Sequence, residues 1–174
     1  MLRTLAAVSC ALVLSAAAPP QFDEQRPIDE DAADLAYGYC PLYLAGRFSL
    51  TGPLLESRGF GKTIRKQPHP RVGEMEMVTS KRVDGEIGFG GAAGKACTVV
   101  VSGAKRDAAL TRLRSSMAFM GLDFKPVASP GTAIAGVAVE TFRAPIEGQV
   151  LYVQLVRASA PTPIVAAQLF VMDK

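Results

Sequence analysis

The chain has 174 residues, 49% of them hydrophobic and 20% charged, with 19 Lys and Arg against 16 Asp and Glu and a formal net charge of +3. A chain of this length and apolarity buries one sizeable core and does not require a second one. Its charge balance lacks the basic excess of a nucleic-acid binder, so that class is set aside.

The first residues, MLRTLAAVSCALVLSAAAPP, carry one cation (Arg3), an apolar run from Leu5 to about Ala18, and small residues at the end. This is the pattern of a secretory signal peptide, 1–17. Cleavage is placed after Ala17, since proline directly after a cut is unfavourable. About 14 apolar residues fall short of the roughly 20 that a transmembrane span needs. A lipid anchor on Cys10 is the weaker reading, because only Leu5 to Ser9 precede it as apolar segment. The expected location is periplasmic or secreted, and the style of the signal points to a bacterial envelope. Without the signal, two of the three cysteines remain, Cys40 and Cys97, in a compartment that permits a disulfide. Their bridge would close a loop of about 58 residues, worth about 3–4 kcal/mol.

Residues 18–28 read as a flexible polar lead-in, and 29–174 as one domain. A first helix is expected from Asp29, where Asp29, Glu30, Asp31 and Asp34 complement the dipole of its first turns. Leu35, Tyr39, Cys40 and Tyr43 form its apolar stripe, Pro41 should kink or restart it, and Gly46 ends it. A short helical turn follows Gly52-Pro53 and stops at Gly59. From Arg58 to Arg71 the chain is basic and turn-rich, and is expected as an exposed loop. Strands follow at about 72–81, 86–90 and 96–102, with an Asp84-Gly85 turn and a glycine loop between them. A second helix spans about 105–120, with Leu110, Leu113, Met117 and Met120 at helical spacing and Gly121 as its cap. After another Pro/Gly-rich connection come strands near 137–144, 149–157 and 164–172.

The fold class read from this order is α+β, a two-layer sandwich of antiparallel sheet and helices in the order α-βββ-α-βββ. The order is compatible with a duplicated αβββ unit, although the two halves share little residue identity.

Several apparent motifs lack the context their chemistry needs. Gly61-Lys62-Thr63 mimics the end of a phosphate-binding loop, but Glu56 stands where that loop requires glycine, and no strand precedes it. Gly88-x-Gly90-x-x-Ala93 resembles a dinucleotide fingerprint but leads into the strand CTVVV rather than a helix. His69, the sole histidine, sits between prolines with no cysteine or carboxylate beside it. No cofactor, no metal site and no catalytic residue is assigned.

Two surfaces remain as binding candidates. Arg58, Lys62, Arg65, Lys66 and Arg71 make a candidate anion loop; alternatively, they are solvated or neutralised by the acidic run 23–34. In the last three strands, connections symmetric about Glu147 and Pro161 would align Glu140, Gln154 and Gln168, and beside them Phe142, Tyr152 and Phe170. That face would offer an aromatic row with amide and carboxylate groups for a polar ligand such as a glycan. Val137, Val139, Leu151, Val153, Leu155, Val165, Leu169 and Val171 would form the opposite, core face. The expected function is a small, exported, disulfide-stapled binding or structural module whose partner is an envelope protein or a glycan. The alternatives are a hydrolase with carboxylates assembled by the fold, and an inhibitor of a secreted enzyme using the 58–71 loop.

Overall fold

The computed structural model describes residues 26–69, 72–129 and 134–173, so the signal segment 1–17, most of the lead-in and Arg71 lie outside the described residues. The protein is mixed α+β, built on an eight-stranded antiparallel sheet. Helix α1 (Ile28–Asp34) runs through a π-helical turn (Leu35–Tyr39) into α2 (Cys40–Leu44). The wide turn sits where Pro41 disturbs the ladder, since proline has no N–H to give and its ring crowds the carbonyl four residues back. The Cys40 N–H instead reaches the Leu35 carbonyl five residues earlier. Helix α3 (Pro53–Ser57) is a single short turn.

Four strands follow: β1 (Arg65–His69), β2 (Gly73–Arg82), β3 (Gly85–Ala92) and β4 (Ala96–Ser102). Helix α4 (Arg106–Ser116) ends in a tight 3-10 turn (Met117–Met120) and the left-handed cap Gly121. The last four are β5 (Lys125–Val127), β6 (Val137–Ile146), β7 (Gln149–Ala158) and β8 (Ile164–Asp173). Their order across the sheet is β1-β2-β3-β4-β8-β7-β6-β5.

The order is therefore α-ββββ-α-ββββ in outline rather than α-βββ-α-βββ. The two added strands are both at sheet edges, β1 inside the segment expected as a basic loop and β5 inside the Pro/Gly-rich connection. Each contains a proline, Pro68 or Pro126, and neither shows an apolar alternation. An edge strand tolerates proline because one side of its backbone needs no partner. The glycine loop after residue 90 is also strand. Gly90 and Gly91 continue β3 at φ of 155° and 150°, and a Cβ on Gly90 would stand 2.0 Å from the Glu76 carbonyl oxygen.

Directly opposed residues of antiparallel strands share a face, so the register sorts the sheet. One row runs Val78, Phe89, Val99, Ala167, Leu155. These belong to the main core, together with Ile28, Leu35 and Tyr37 of the first helical stretch and Leu110 and Leu113 of α4. The Tyr37 hydroxyl donates to the Leu113 carbonyl at 2.7 Å, and burial pushes its phenol far above the usual range. Cys40 and Cys97 are bonded and fully buried, with Cα atoms 5.4 Å apart, so the bridge ties α2 to β4 near the middle of the sheet.

Candidate interaction surface

The other face of the sheet is absent from that core. Its middle row runs Met77, Gly90, Thr98, Gln168, Gln154, Thr141. On one side lies the row Ala92, Ala96, Phe170, Tyr152, Arg143. On the other lies Thr79, Gly88, Val100, Ala166, Val156, Val139. Tyr152 and Phe170 stand side by side as parallel rings, with centroids 5.3 Å apart and planes inclined by 5°. Both are half-buried, as are Val100, Val156 and Ile164, while Val139 is 38% and Met172 52% exposed. The Gln154 amide donates to Thr141 Oγ1 at 3.2 Å. Among the described residues the Gln168 side chain makes no hydrogen bond.

Four of the six residues expected on the ligand face are on it: Tyr152, Gln154, Gln168 and Phe170. Glu140 and Phe142 are not. The β6–β7 turn is a two-residue one, Glu147-Gly148, whose centre falls between residues, so Glu140 pairs with Leu155 and Phe142 with Val153. A shift of one residue moves a strand's whole pattern to the opposite face. Thr141 and Arg143 take the places expected for Glu140 and Phe142. Val137 and Val139 leave the core face with them. Glu140 faces α4, where Arg114 Nε donates to it at 3.0 Å and Arg114 Nη2 makes a second bond. These bonds hold its carboxyl below the usual range. Phe142 packs against the core margin. The β7–β8 register, centred on Pro161, is as expected.

The candidate anion residues are dispersed. Arg58 is drawn inward, its guanidinium 2.8 Å from Asp31 and 2.6 Å from Asp34 and lying over the Tyr39 ring. Asp31, whose side chain is 2% exposed, also binds Arg82 Nη2 at 2.5 Å. The acidic and basic runs thus partly neutralise one another, through a buried partner, Arg82, that no sequence pattern singled out. Lys62 pairs with Glu56 at 2.9 Å, and Lys66 with both Glu74 and Glu76. Arg65 is exposed on the edge strand β1, and Arg71 lies outside the described residues.

One open hollow lies beside Gln67 and His69 at the β1–β2 hairpin and another between Asp29 and Arg112; neither of these reaches Tyr152 or Phe170. Among the described residues no group of three His, Cys, Asp or Glu gathers in a way that could hold a metal. No helix among them is long and apolar enough to cross a membrane. Comparison with protein families, curated proteins and solved structures finds no match for this chain.

Proposed function

We propose that the protein is an exported interaction module of the bacterial envelope, working by binding rather than by catalysis, with its signal 1–17 removed. In this reading the fold is a two-layer sandwich whose second sheet face is kept for a partner. The two helix-plus-strands runs are copies of one unit, a view supported by their mirrored order about β4 and β8. One observation carries the function. Tyr152 and Phe170 on one side, and Val100, Val156 and Val139 on the other, are partly exposed apolar residues that flank the row Thr98, Gln168, Gln154, Thr141 on a sheet face outside the main core. Faces of this kind mark interaction sites in soluble proteins. Among the described residues the acids that the fold gathers are occupied, Asp31 and Asp34 by Arg82 and Arg58, and Glu74 and Glu76 by Lys66. That favours binding over the hydrolase alternative, which needs carboxylates converging on open space.

The test is site-specific photo-crosslinking in the envelope. A photoreactive residue at position 152 is expected to give a discrete adduct, and one at Val83, fully exposed in the β2–β3 turn, is expected to give none. Absence of an adduct at 152, or equal labelling at both positions, would overturn the proposal.

A further inference from the structure

We infer that the end of the molecule where both helical stretches finish docks on an anionic lipid bilayer, with Phe119 as the inserting tip. The topology brings the parts of this end together. α2 finishes there: its Tyr43 hydroxyl donates to the Gly91 carbonyl at 3.1 Å, and the Leu44 carbonyl lies 4.0 Å from the place a Cβ on Gly94 would take, against the β3–β4 turn. α4 runs beside the first helical stretch, and its 3-10 turn touches the π-helical turn. The chain then reverses at Gly121 and enters β5, whose Lys125 pairs with Arg143 just before the β6–β7 turn. β8 ends beside that turn, with Asp173 opposite Gln149.

The core stays open at this end. Leu44, Met120, Leu122, Phe124, Ile146 and Val171 pack against it but are only partly buried. Phe119 stands beyond that margin. Met117 is buried and anchors the 3-10 turn, Gly121 turns the chain back at φ 68°, and the ring between them is 85% exposed. Leu42, on α2, is 40% exposed. An isolated exposed apolar residue is ordinary, whereas an exposed tip rising from a half-open core margin marks a contact surface.

The charges around the tip select the occupant. Arg47 follows α2, Lys95 lies in the β3–β4 turn next to it, and Lys125 opens β5; all three are exposed. Among the described residues the side chains of Arg47 and Lys95 make no ion pair and no hydrogen bond. Of the acids at this end, Asp123 is held by Lys125 at 2.8 Å, Asp173 accepts from Gln149 at 3.1 Å, and Glu147 sits apart in the β6–β7 turn. The uncompensated charge beside α2 is therefore positive. An apolar tip flanked by cations matches acyl chains beneath anionic headgroups. Lipid demands no matching pattern of donors and acceptors, and the tip has none to offer: Met117-Ala118-Phe119-Met120-Gly121-Leu122 carries no polar side chain. A second copy brought against this end would set Arg47 and Lys95 against their own kind. The surface belongs to the helical layer rather than to the sheet face of Tyr152 and Phe170, so it goes beyond the function proposed above and does not rest on that face.

The sequence contains no tryptophan, so one introduced at the tip reports alone. The exported, disulfide-intact chain is mixed with vesicles of equal parts phosphatidylglycerol and phosphatidylcholine. Fluorescence of Phe119→Trp is expected to shift to the blue. That of Val83→Trp, in the β2–β3 turn at the opposite end, is expected to stay unchanged. Phe119→Asp is expected to abolish flotation with the vesicles at unchanged circular dichroism, and Arg47→Gln with Lys95→Gln to weaken it about tenfold or more. No blue shift at position 119, equal shifts at both positions, flotation that survives Phe119→Asp, or flotation indifferent to the two cations would each overturn the inference. A blue shift that grows with protein concentration in the absence of lipid would also overturn it, by making a second copy the occupant.

Discussion

Asp31 accepts hydrogen bonds from two arginines while almost wholly shielded from water, and Arg82 opposite it is 3% exposed. Removing one member of such a buried set strands the other charge, which costs more than the pair contributes. Asp31→Ala is expected to lower unfolding free energy by about 3–5 kcal/mol, measured by denaturant titration. Glu140 and Arg114 present the opposite case. Both side chains are 45% exposed, so solvent screens the pair and Glu140→Gln is expected to cost no more than about 1 kcal/mol. The sign of its pH dependence follows from the lowered carboxyl pKa. The contribution is present above the unfolded carboxyl value of about 4.3 and is lost as pH falls through the folded value. The stability difference between wild type and Glu140→Gln should therefore vanish in acid, and shrink in high salt.

At the scale of elements, glycine in the middle of a strand decides how closely β2, β3 and β4 approach. Gly90→Ala would force an L residue to φ 155° with its Cβ against the Glu76 carbonyl, and is expected to cost about 1–3 kcal/mol in thermal or chemical unfolding. The disulfide acts across a longer span. Replacing Cys40 and Cys97 together by serine is expected to remove about 3–4 kcal/mol. Both helical stretches and six strands were legible from period and punctuation, since burial on one face leaves a repeating apolar mark, and the cysteine pairing was legible by elimination, once the signal pattern set Cys10 aside. What left no mark was the pair of edge strands: RKQPH and KPV bury almost nothing, so hydrophobicity has nothing to repeat. The register of the candidate face was read partly wrongly for a different reason. Its residues were chosen correctly on β7 and β8, where Pro161 centres the connection. On β6 they were displaced by one, because a two-residue turn has its centre between Glu147 and Gly148. Arg82 escaped notice because its partner Asp31 lies 51 positions away in sequence, and no local spacing signals such a meeting.

For the molecule as a whole, the central seam of the sheet joins β4 to β8, so the chain's fourth strand finds its second neighbour only in its last. Both bridged cysteines, α1 to α3 and β1 to β4 belong to residues 28–102, which are synthesised before α4 and β5 to β8. That half can oxidise and form its meander early, yet until residues 164–173 arrive it holds out the bare, β-branched edge of Thr98-Val99-Val100-Val101, a template for aggregation. A chain stopped after Pro163 should therefore still form the Cys40–Cys97 bond but precipitate or be degraded, detectable as loss of soluble oxidised product in a pulse-chase experiment. Recovery of that truncated chain as a soluble, protease-resistant species would contradict it. Delivery of the C-terminal strand, rather than disulfide formation, would then set the interval over which the newly made chain needs the protection of a chaperone.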